Sequence, residues 1–345
     1  MKGKTIFVVC PYGMITGGPD ALGELVFYLK KSGFNAKLAY TFIDNLNYPI
    51  PKQYQSYFKD YILFKDIEDK PDQIIILPEI FSYLSNRFKL SKVFIWWLSV
   101  DNNLKGTSVL SKINFLIPYP LRLIKHIYLK DNIRIFTKSY LAELNKTKYQ
   151  FKKEKENVSH LCASYYALDY VSKRTHNPCY KLIEPIDKCF LDNSVTNKKA
   201  KEDIIIYNPI KSGSFVNKIK GKAPYLTFVP LKGMSQEELI DNYKKAKLYI
   251  DFGPFPGAER MPKEAVINDC IIITGKNGAS AFYEDVPIPD EFKFDSTNKN
   301  IDAIINKIIF SLKNYNDILP LFKKYKDTVI NLENGFTNSL INIFN

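Results

Sequence analysis

The sequence predicts an α/β fold built from two doubly wound domains, and three observations lead to this prediction. Short apolar runs rich in β-branched and aromatic residues recur along the chain, without the alternation of a strand that has one wet face. Such runs are typical of strands buried on both faces of a parallel sheet. Segments with helical spacing separate them, and a polar stretch at residues 187–203 divides the series in two. We therefore expect two sheet-based domains joined by a linker.

The individual elements follow the chain in alternating order. The predicted strands are residues 6–10, 37–40, 74–77, 93–98, 133–137 and 160–163, then 204–207, 225–229, 248–251 and 271–274. The predicted helices are residues 21–32 and 140–148, then 214–221, 235–247 and 260–269, and residues 301–345 have helical spacing throughout. We expect Rossmann-like domains at residues 1–190 and 200–325, followed by a helical tail at 326–345.

Composition limits the possible environments and partners. The 345 residues carry a net charge of +13, which attracts phosphate-bearing partners such as nucleotides, nucleic acid or anionic lipid. The five cysteines are odd in number and lack CxxC spacing, so they are interpreted as reduced thiols in the cytoplasm. No stretch approaches the roughly 18 to 20 apolar residues of a spanning helix, so any membrane contact is expected to be peripheral. The three histidines have no metal-ligand spacing, and no metal site is predicted.

A glycine loop follows the first strand. Gly17 and Gly18 precede Asp20 at the start of a helix. Adjacent glycines allow close approach of a ligand to the backbone, and a helix N-terminus adds amide donors and partial positive charge. An ordinary tight turn is the alternative. Asp20 is interpreted as an N-cap, a catalytic carboxylate, or both.

Two loops of the second half have the composition of a phosphate site. Asn208 and Lys211 follow the strand at residues 204–207, where a lysine and small residues can hold a diphosphate. A Gly/Pro-rich loop after the strand at 248–251 contains Gly257 and Glu259 and ends at Arg260. The planar guanidinium of an arginine can donate two hydrogen bonds to a phosphate. The alternatives are a βα loop with a solvated lysine and a helix with solvated charges.

The remaining candidates lie at other strand ends. Glu264 is in the helix after that Gly/Pro-rich loop, and Asn277 and Gly278 form the turn after the next strand, where a simple turn is equally compatible. In the first half, Glu79 and Asp101 each follow a strand, and either can serve as a general base. Between them we favour Asp101, with Asp20 as a close rival, although loop caps explain each carboxylate alone.

The glycine loop at 14–25 and the segment from Gly257 to Cys270 resemble the corresponding motifs of GT-B glycosyltransferases, specifically the bacterial glycosyltransferase group 1, or family 4-like, enzymes. The resemblance implies two domains facing a cleft, with the C-terminal helices packing back on the first domain. It also implies that Glu264 binds the nucleotide ribose and that Glu259 and Arg260 face the donor sugar or phosphates. The chain departs from the common pair of glutamates with seven residues between them, because Pro256 stands eight positions before Glu264.

The function expected from the resemblance is transfer of a sugar from a nucleotide-diphosphate sugar, with a UDP-sugar as the expected donor, by a metal-independent mechanism. The acceptor would be a glycan or lipid-linked molecule in bacterial lipopolysaccharide or capsule synthesis. No separate cofactor is expected. The enzyme would be cytoplasmic, with an anionic membrane surface as a further partner, contacted by the apolar and basic segment at residues 113–130.

Two other functions remain open at this stage. A GT-B-fold sugar-nucleotide epimerase would keep the same nucleotide contacts and need no acceptor. The charge also permits a basic nucleic-acid-binding protein, but the basic residues are dispersed and form no recognition module, so no nucleic acid is expected as a partner.

Overall fold

A computed structural model describes residues 3–12, 17–41, 61–105, 149–195 and 199–345. The chain divides into two compact units. The first comprises Met1–Ala163, Ala167–Leu182 and Thr337–Asn345, and the second comprises Ser164–Tyr166 and Ile183–Phe336. Each unit is built on a single parallel sheet, as the apolar runs predict.

The first unit contains a seven-stranded sheet with the order β3-β2-β1-β4-β5-β6-β7. Its strands are β1 (Thr5–Pro11), β2 (Asn35–Thr41), β3 (Ile62–Leu63), β4 (Gln73–Pro78), β5 (Lys92–Trp97), β6 (Val158–Cys162) and β7 (Cys179–Lys181). Its helical segments include α1 (Gly17–Lys31), α2 (Val100–Lys105) and most of α3 (Tyr165–Ser172), with short 3-10 segments at Phe64–Asp66, Glu79–Arg87 and Phe151–Lys153. The central strands are buried on both faces, which explains why their sequences do not alternate.

The second unit contains a five-stranded sheet with the order β12-β11-β10-β8-β9. Its strands are β8 (Glu202–Tyr207), β9 (Thr227–Pro230), β10 (Ala246–Asp251), β11 (Ile271–Gly275) and β12 (Lys293–Phe294). Its helices are α4 (Lys188–Val195), α5 (Pro209–Lys222), α6 (Gln236–Lys245), α7 (Arg260–Ile267), α8 (Ile301–Lys313), α9 (Tyr315–Ile318) and α10 (Lys323–Ile330). Short 3-10 segments lie at Gly278–Ala281, Asp290–Phe292, Asn298–Asn300 and Leu319–Phe322.

The last helix, α11 (Leu332–Phe344), begins in the second unit and ends in the first. The Phe344 ring lies 6.2 Å from that of Phe34 and 5.2 Å from that of Phe94, centroid to centroid, so the helix end is part of the first unit's core. This agrees with the expectation that C-terminal helices pack back on the first domain. Helix α10, by contrast, packs on α7 within the second unit.

Most differences between the predicted and observed elements concern short or polar segments. The edge strands β3, β7 and β12 contain only two or three residues, too few to produce a periodic pattern. The stretch at 187–203, predicted as a linker, begins with helix α4. The predicted strand at 133–137, the predicted helix at 140–148 and the segment at 113–130 lie outside the described residues. No helix within the described ranges is long and apolar enough to cross a membrane.

Candidate functional site

The second sheet has its switch point between β8 and β10. Strand β8 lies between β9 and β10, so the connections that leave β8 and β10 run to opposite sides. In open parallel sheets, ligands bind outside the carboxyl ends of the strands where the connections diverge. The segments that follow these two strands, called loops below, are residues 208–211, which include the first turn of α5 with Lys211, and residues 252–259, which end at Glu259.

The loop after β8 starts helix α5. Asn208 is the N-cap, and its side-chain oxygen accepts hydrogen bonds from the amides of Ile210 (3.0 Å) and Lys211 (3.4 Å). Pro209 occupies the first helical position, where its missing N–H costs nothing. The structure therefore gives Asn208 a capping contact, and the phosphate contact predicted for it remains a hypothesis.

Gly253 brings the loop after β10 against the first turn of α5. A β-carbon at Gly253 would lie 2.7 Å from the Cβ of Lys211 and 2.9 Å from its carbonyl carbon and oxygen. Any larger residue would push these two segments apart. The Gly253 amide also donates to buried Asp251 at 2.9 Å, which fixes the start of the loop. The absence of a side chain at position 253 thus sets the separation between the two loops.

The two loops are joined by an ion pair between Lys211 Nζ and Glu259 Oε2. Burial raises the pKa of Glu259, and the charge and hydrogen bond of Lys211 partly offset this rise. Glu259 is the N-cap position of α7 but makes no capping hydrogen bond, because its carboxylate is turned to the lysine. The structure thus brings together two of the predicted phosphate and sugar residues.

Glu264 lies farther along α7 and is buried, with 8% of its surface exposed. The hydroxyl of Tyr243 donates to its Oε2 at 2.9 Å. Burial raises the pKa of Glu264 to about 7, although Tyr243 and Arg260 both act to lower it. At neutral pH this side chain is therefore present in both the neutral and the charged form.

The turn after β11 is tied to the same loop. Gly278 has a φ of +56°, and a β-carbon there would clash with the carbonyl oxygen of Phe255. The Asn277 side-chain amide donates to the carbonyl oxygens of Phe252 and Gly253, both at 3.4 Å. Gly257 is buried in the loop between β10 and α7. Asn277 and Gly278, predicted as ligand contacts, therefore hold the β10–α7 loop in position.

In the first unit, the switch point lies between β1 and β4, and α1 begins near it. Gly17 and Gly18 form the first residues of α1, and a β-carbon at either position would meet no heavy atom within 4 Å. A side chain would therefore find open space at both positions, and the ligand contact predicted for the glycine pair stays a prediction. Asp20 is in the first turn of α1. Burial of the Cys10 thiol on β1 raises its pKa, and the negative charge of Asp20 raises it further.

Glu79 and Asp101 follow β4 and β5 in the first unit and differ in their surroundings. Glu79 is 4% exposed and accepts hydrogen bonds from the Leu98 amide (3.1 Å) and the Asn102 side chain (3.0 Å). Burial raises the pKa of Glu79 to about 7. Asp101, in the first turn of α2, is only partly buried. Glu79 thus connects the ends of β4 and β5, and Asp101 is the more accessible carboxylate.

His160 has a structural environment in the first unit. It is completely buried in β6, its Nδ1 accepts a hydrogen bond from the Trp97 indole at 3.0 Å, and its Nε2 lies 2.6 Å from a carboxylate oxygen of Glu154. Because Nδ1 accepts the hydrogen bond from Trp97, the ring proton of the neutral imidazole is on Nε2, the nitrogen next to Glu154. Within the described residues, no group of three or more His, Cys, Asp or Glu side chains is placed to hold a metal ion.

Comparison with known proteins decides the fold. No family model and no curated protein matches the sequence. Among solved structures, the chain is similar to a glycosyltransferase from Rickettsia africae ESF-5, with a TM-score of 0.59, 13% identity and 100% of both chains covered. This chain has the GT-B fold.

Two further GT-B structures match over nearly their full lengths. The pneumococcal O-GlcNAc transferase GtfA, solved with UDP and GlcNAc, has a TM-score of 0.58 at 11% identity and covers 100% of this chain and 98% of its own. Sucrose-phosphate synthase from Thermosynechococcus elongatus has a TM-score of 0.57 at 12% identity and covers 99% and 98%. At such low identity these matches establish the GT-B fold and not the substrates.

Two buried charged residues and one partly buried carboxylate in the second unit of this GT-B fold were not singled out from the sequence. Glu184 is 7% exposed and Lys263 is 4% exposed. Asp285 accepts the backbone amides of Tyr165 (2.7 Å) and Tyr166 (2.9 Å), and burial raises its pKa to about 6. Glu184 and Asp285 lie in segments without a motif, and only their surroundings in the folded chain distinguish them from surface carboxylates.

Proposed function

We propose that this chain is a glycosyltransferase that moves a sugar from a nucleotide-diphosphate sugar to a hydroxyl of an acceptor. The observation that carries the proposal is the Lys211–Glu259 pair at the switch point of the second sheet in a GT-B fold. An ammonium beside a helix N-terminus stabilises a diphosphate, and a nearby carboxylate accepts sugar hydroxyls. A UDP-sugar is the proposed donor, in line with the UDP that is present in the GtfA structure.

The proposed donor contacts are formed by the second unit. Lys211 and Arg260 neutralise charge that develops on the departing diphosphate, together with the backbone of the glycine-containing loops at Gly257 and Gly278. Glu264 accepts hydroxyls of the ribose. Its pKa of about 7 means that the ribose hydroxyls must compete with a proton for its oxygens below neutral pH.

The proposed acceptor side is formed by the first unit. Asp101, or Asp20 as its rival, takes the proton from the acceptor hydroxyl while the hydroxyl oxygen bonds to the anomeric carbon of the donor sugar. The bond between that carbon and the phosphate oxygen breaks, and the nucleoside diphosphate leaves with the electron pair. Glu259 is the proposed carboxylate on the donor side of the reacting carbon, and no metal ion takes part.

The acceptor proposed here is a glycan or lipid-linked molecule of bacterial surface polysaccharide synthesis, such as lipopolysaccharide or capsule. The support is the net charge of +13, which favours contact with an anionic membrane surface. Peripheral attachment at the inner face of the cytoplasmic membrane would bring the enzyme to a lipid-linked acceptor. Failure of the protein to bind anionic liposomes at low salt would contradict this part of the proposal.

Thermal unfolding with UDP, GDP, TDP, CMP and ADP tests the donor proposal. A ligand at 100 times its Kd stabilises the folded state by about 2.7 kcal/mol, which gives a measurable rise in Tm. We expect one nucleotide to raise the Tm of the wild type and of Glu156→Ala, a variant at an exposed position, but not of Glu264→Ala. A folded protein that responds to none of these nucleotides would refute the proposal, and consumption of the sugar nucleotide without an acceptor would indicate an epimerase.

A further inference from the structure

A cavity of about 250 Å³ lies in the first unit, between the 3-10 segment at Glu79–Arg87 and the chain that leads into β6. Its lining is rich in residues that carry hydroxyl groups and side-chain amides, namely Ser82, Tyr83, Ser85, Asn86 and Gln150. Both serines are buried. A buried polar lining needs hydrogen-bonding partners, and water or a ligand in the cavity can supply them.

The cavity is remote from the carboxylate favoured for proton transfer. It is lined by Val158, the first residue of β6, and by Asn86, which precedes β5. Asp101 follows the carboxyl end of β5, and six residues of strand are about 20 Å long. The cavity thus lies toward the opposite ends of these strands and is not part of the site described above.

Hydrogen bonds tie the two walls of the cavity together. Lys155 Nζ donates to the carbonyl oxygens of Asn86 (3.1 Å) and Phe88 (3.3 Å). Next to it, the side-chain amide of Asn157 donates to the carbonyl oxygen of Ser91 at 2.8 Å. Because these contacts fix the walls in the absence of a ligand, a ligand would bind without the entropy cost of ordering them.

Glu154 is the only carboxylate among the described residues that line the cavity, and it is engaged inside the protein. It accepts hydrogen bonds from the hydroxyl of Tyr149, at 2.6 Å, and from the hydroxyl of Thr175. Its Oε1 also lies 2.6 Å from Nε2 of His160. Three protein groups therefore meet the charge of Glu154, and the hydroxyl and amide residues remain to contact a ligand.

A groove of about 690 Å³ adjoins the cavity and shares Tyr149, Gln150 and Lys153 with it. Its other described lining residues are Phe151, Lys152, Lys173 and Arg174. Four of these seven residues are cations and none is a carboxylate. Beside the groove, Lys173 pairs with Asp169 at 2.7 Å on exposed surface, where an ion pair is weak and easily screened. The groove therefore attracts an anionic group.

A single class of ligand matches both depressions. The hydroxyls of a sugar donate to and accept from serine and amide side chains, and an aromatic ring such as that of Tyr149 covers the apolar face of a sugar. An acidic group on the same molecule would bind the lysines and Arg174 of the groove. A simple anion would use the groove alone, and a lipid chain would leave the polar cavity without hydrogen bonds.

We propose that the cavity and the groove together form a binding site for an acidic saccharide. Its hydroxyls lie in the cavity, and its acidic group lies in the groove beside Lys152, Lys173 and Arg174. The site goes beyond the proposed transfer reaction, because the saccharide binds here without the donor and without Asp101. In a transferase that acts on a charged glycan, the site would hold a sugar remote from the hydroxyl that reacts.

Calorimetric titration of the full chain with trigalacturonate and its neutral methyl ester tests this site. The two ligands have the same rings and ring hydroxyls, and only the first has free carboxylates. We expect trigalacturonate to bind at least about tenfold more tightly, because it forms charge-assisted hydrogen bonds. Raising the salt from about 0.1 M to about 1 M shortens the Debye length from about 10 Å to about 3 Å, so this preference should decrease.

Two variants separate the groove from the cavity. The double variant Lys152→Met and Lys173→Met should bring the Kd of trigalacturonate within about threefold of that of the ester. Gln150→Trp places a large ring where cavity and groove meet and should weaken both ligands about tenfold or more. The control is the double variant Lys37→Met and Lys65→Met, which removes the same charge on the other side of the sheet and should behave as the wild type. All five positions are exposed, so we expect every variant to fold.

Several results would overturn the inference. Equal binding of trigalacturonate and its ester by the wild type, or no binding of either, would refute an acidic-saccharide site. Full affinity in both test variants would place the saccharide elsewhere. Equally tight binding of tricarballylate, a tricarboxylate without sugar rings, would show a simple anion site.

Two further outcomes concern other partners and the proposed function. Displacement of trigalacturonate by phosphatidylglycerol vesicles, lost in the Lys152 and Lys173 double variant, would show that the groove binds a membrane instead. The saccharide titration does not depend on the response of the Tm to nucleotides. Failure of this inference and failure of the proposed function are therefore distinguished by which of the two measurements is negative.

Discussion

Lys211 and Glu259 are 48 positions apart in the sequence, yet their side chains form an ion pair that joins the loops after β8 and β10. The side chains are 33% and 17% exposed, so the pair is partly sheltered but accessible from solvent. A diphosphate that approaches Lys211 would compete with Glu259 for the same ammonium. The pair therefore keeps the lysine positioned before a ligand arrives.

Replacement of Lys211 by Met should weaken the binding of nucleoside diphosphate. The variant loses a charge-assisted hydrogen bond to phosphate, with an expected rise in Kd of about tenfold to a hundredfold. Isothermal titration calorimetry measures this change. Lys222→Met is the control, because it removes the same charge from the far end of α5, where Lys222 pairs with Asp302. Equal affinities of the two variants would show that Lys211 does not contact the ligand.

A methyl group at Gly253 should have the opposite effect on stability from one at Gly213. The Gly253→Ala β-carbon meets Lys211 at 2.7 Å, and we expect a loss of about 1 to 3 kcal/mol in the free energy of unfolding. In Gly213→Ala, inside α5, the nearest atom is 3.8 Å away, and a gain of about 0.5 to 1 kcal/mol is expected. Urea unfolding measures both, and a Gly253→Ala variant as stable as the wild type would contradict the close approach.

The pH dependence of stability should reveal the buried Glu264. Its pKa in the folded state is raised to about 7 from an ordinary value of 4.5, so the folded state binds this proton more tightly than the unfolded state does. The stabilisation of the folded state by protonated Glu264 is fully present below pH 4.5 and is lost as the pH rises through 7. Glu264→Gln removes this titration. Between pH 4.5 and 8, the free energy of unfolding of the variant should therefore rise by up to about 3 kcal/mol relative to that of the wild type.

Urea unfolding of the wild type and Glu264→Gln across this pH range provides the comparison. Glu156→Gln, at an exposed position, is the matched control and should run parallel to the wild type. A constant difference between Glu264→Gln and the wild type at all pH values would show that Glu264 titrates normally in the folded protein.

Asp101 and Asp20 can be separated by kinetics once the donor is known. If Asp101 is the base, Asp101→Asn should lower kcat by about a hundredfold or more while donor affinity and Tm remain near those of the wild type. Asp20→Asn should then have a much smaller effect on kcat. The reverse order of the two kcat values would assign proton transfer to Asp20.

The sequence predicted the central strands because buried parallel strands carry a clear apolar signal, and it predicted the GT-B fold through the resemblance of two motifs to that family. The runs at β1, β4 and β11 are examples, with almost every residue buried. Edge strand β7 is partly exposed and three residues long, so no local pattern could reveal it. Helix α4 was not predicted because it has only eight residues, half of them polar, and it packs on α6 and α7.

The site could be predicted only where its residues are close in sequence. The motif around Glu259 and Glu264 indicated a functional loop, but the partner of Glu264 is Tyr243, which lies on a different helix. Likewise, nothing near Asn277 in the sequence shows that its amide would bind the carbonyl oxygens of Phe252 and Gly253. Such long-range contacts depend on the sheet topology, which a local pattern does not specify.

Phe344 completes the aromatic contacts of the first unit, although the chain has by then passed through nearly all of the second unit. During translation, the ring cannot reach Phe34 and Phe94 until residues 183–336 have been synthesised, which takes about 10 to 30 s at typical rates of synthesis. For that interval the nascent first unit exposes the apolar surface that α11 later covers. Its folding on the ribosome is thus completed only after the second unit has been made.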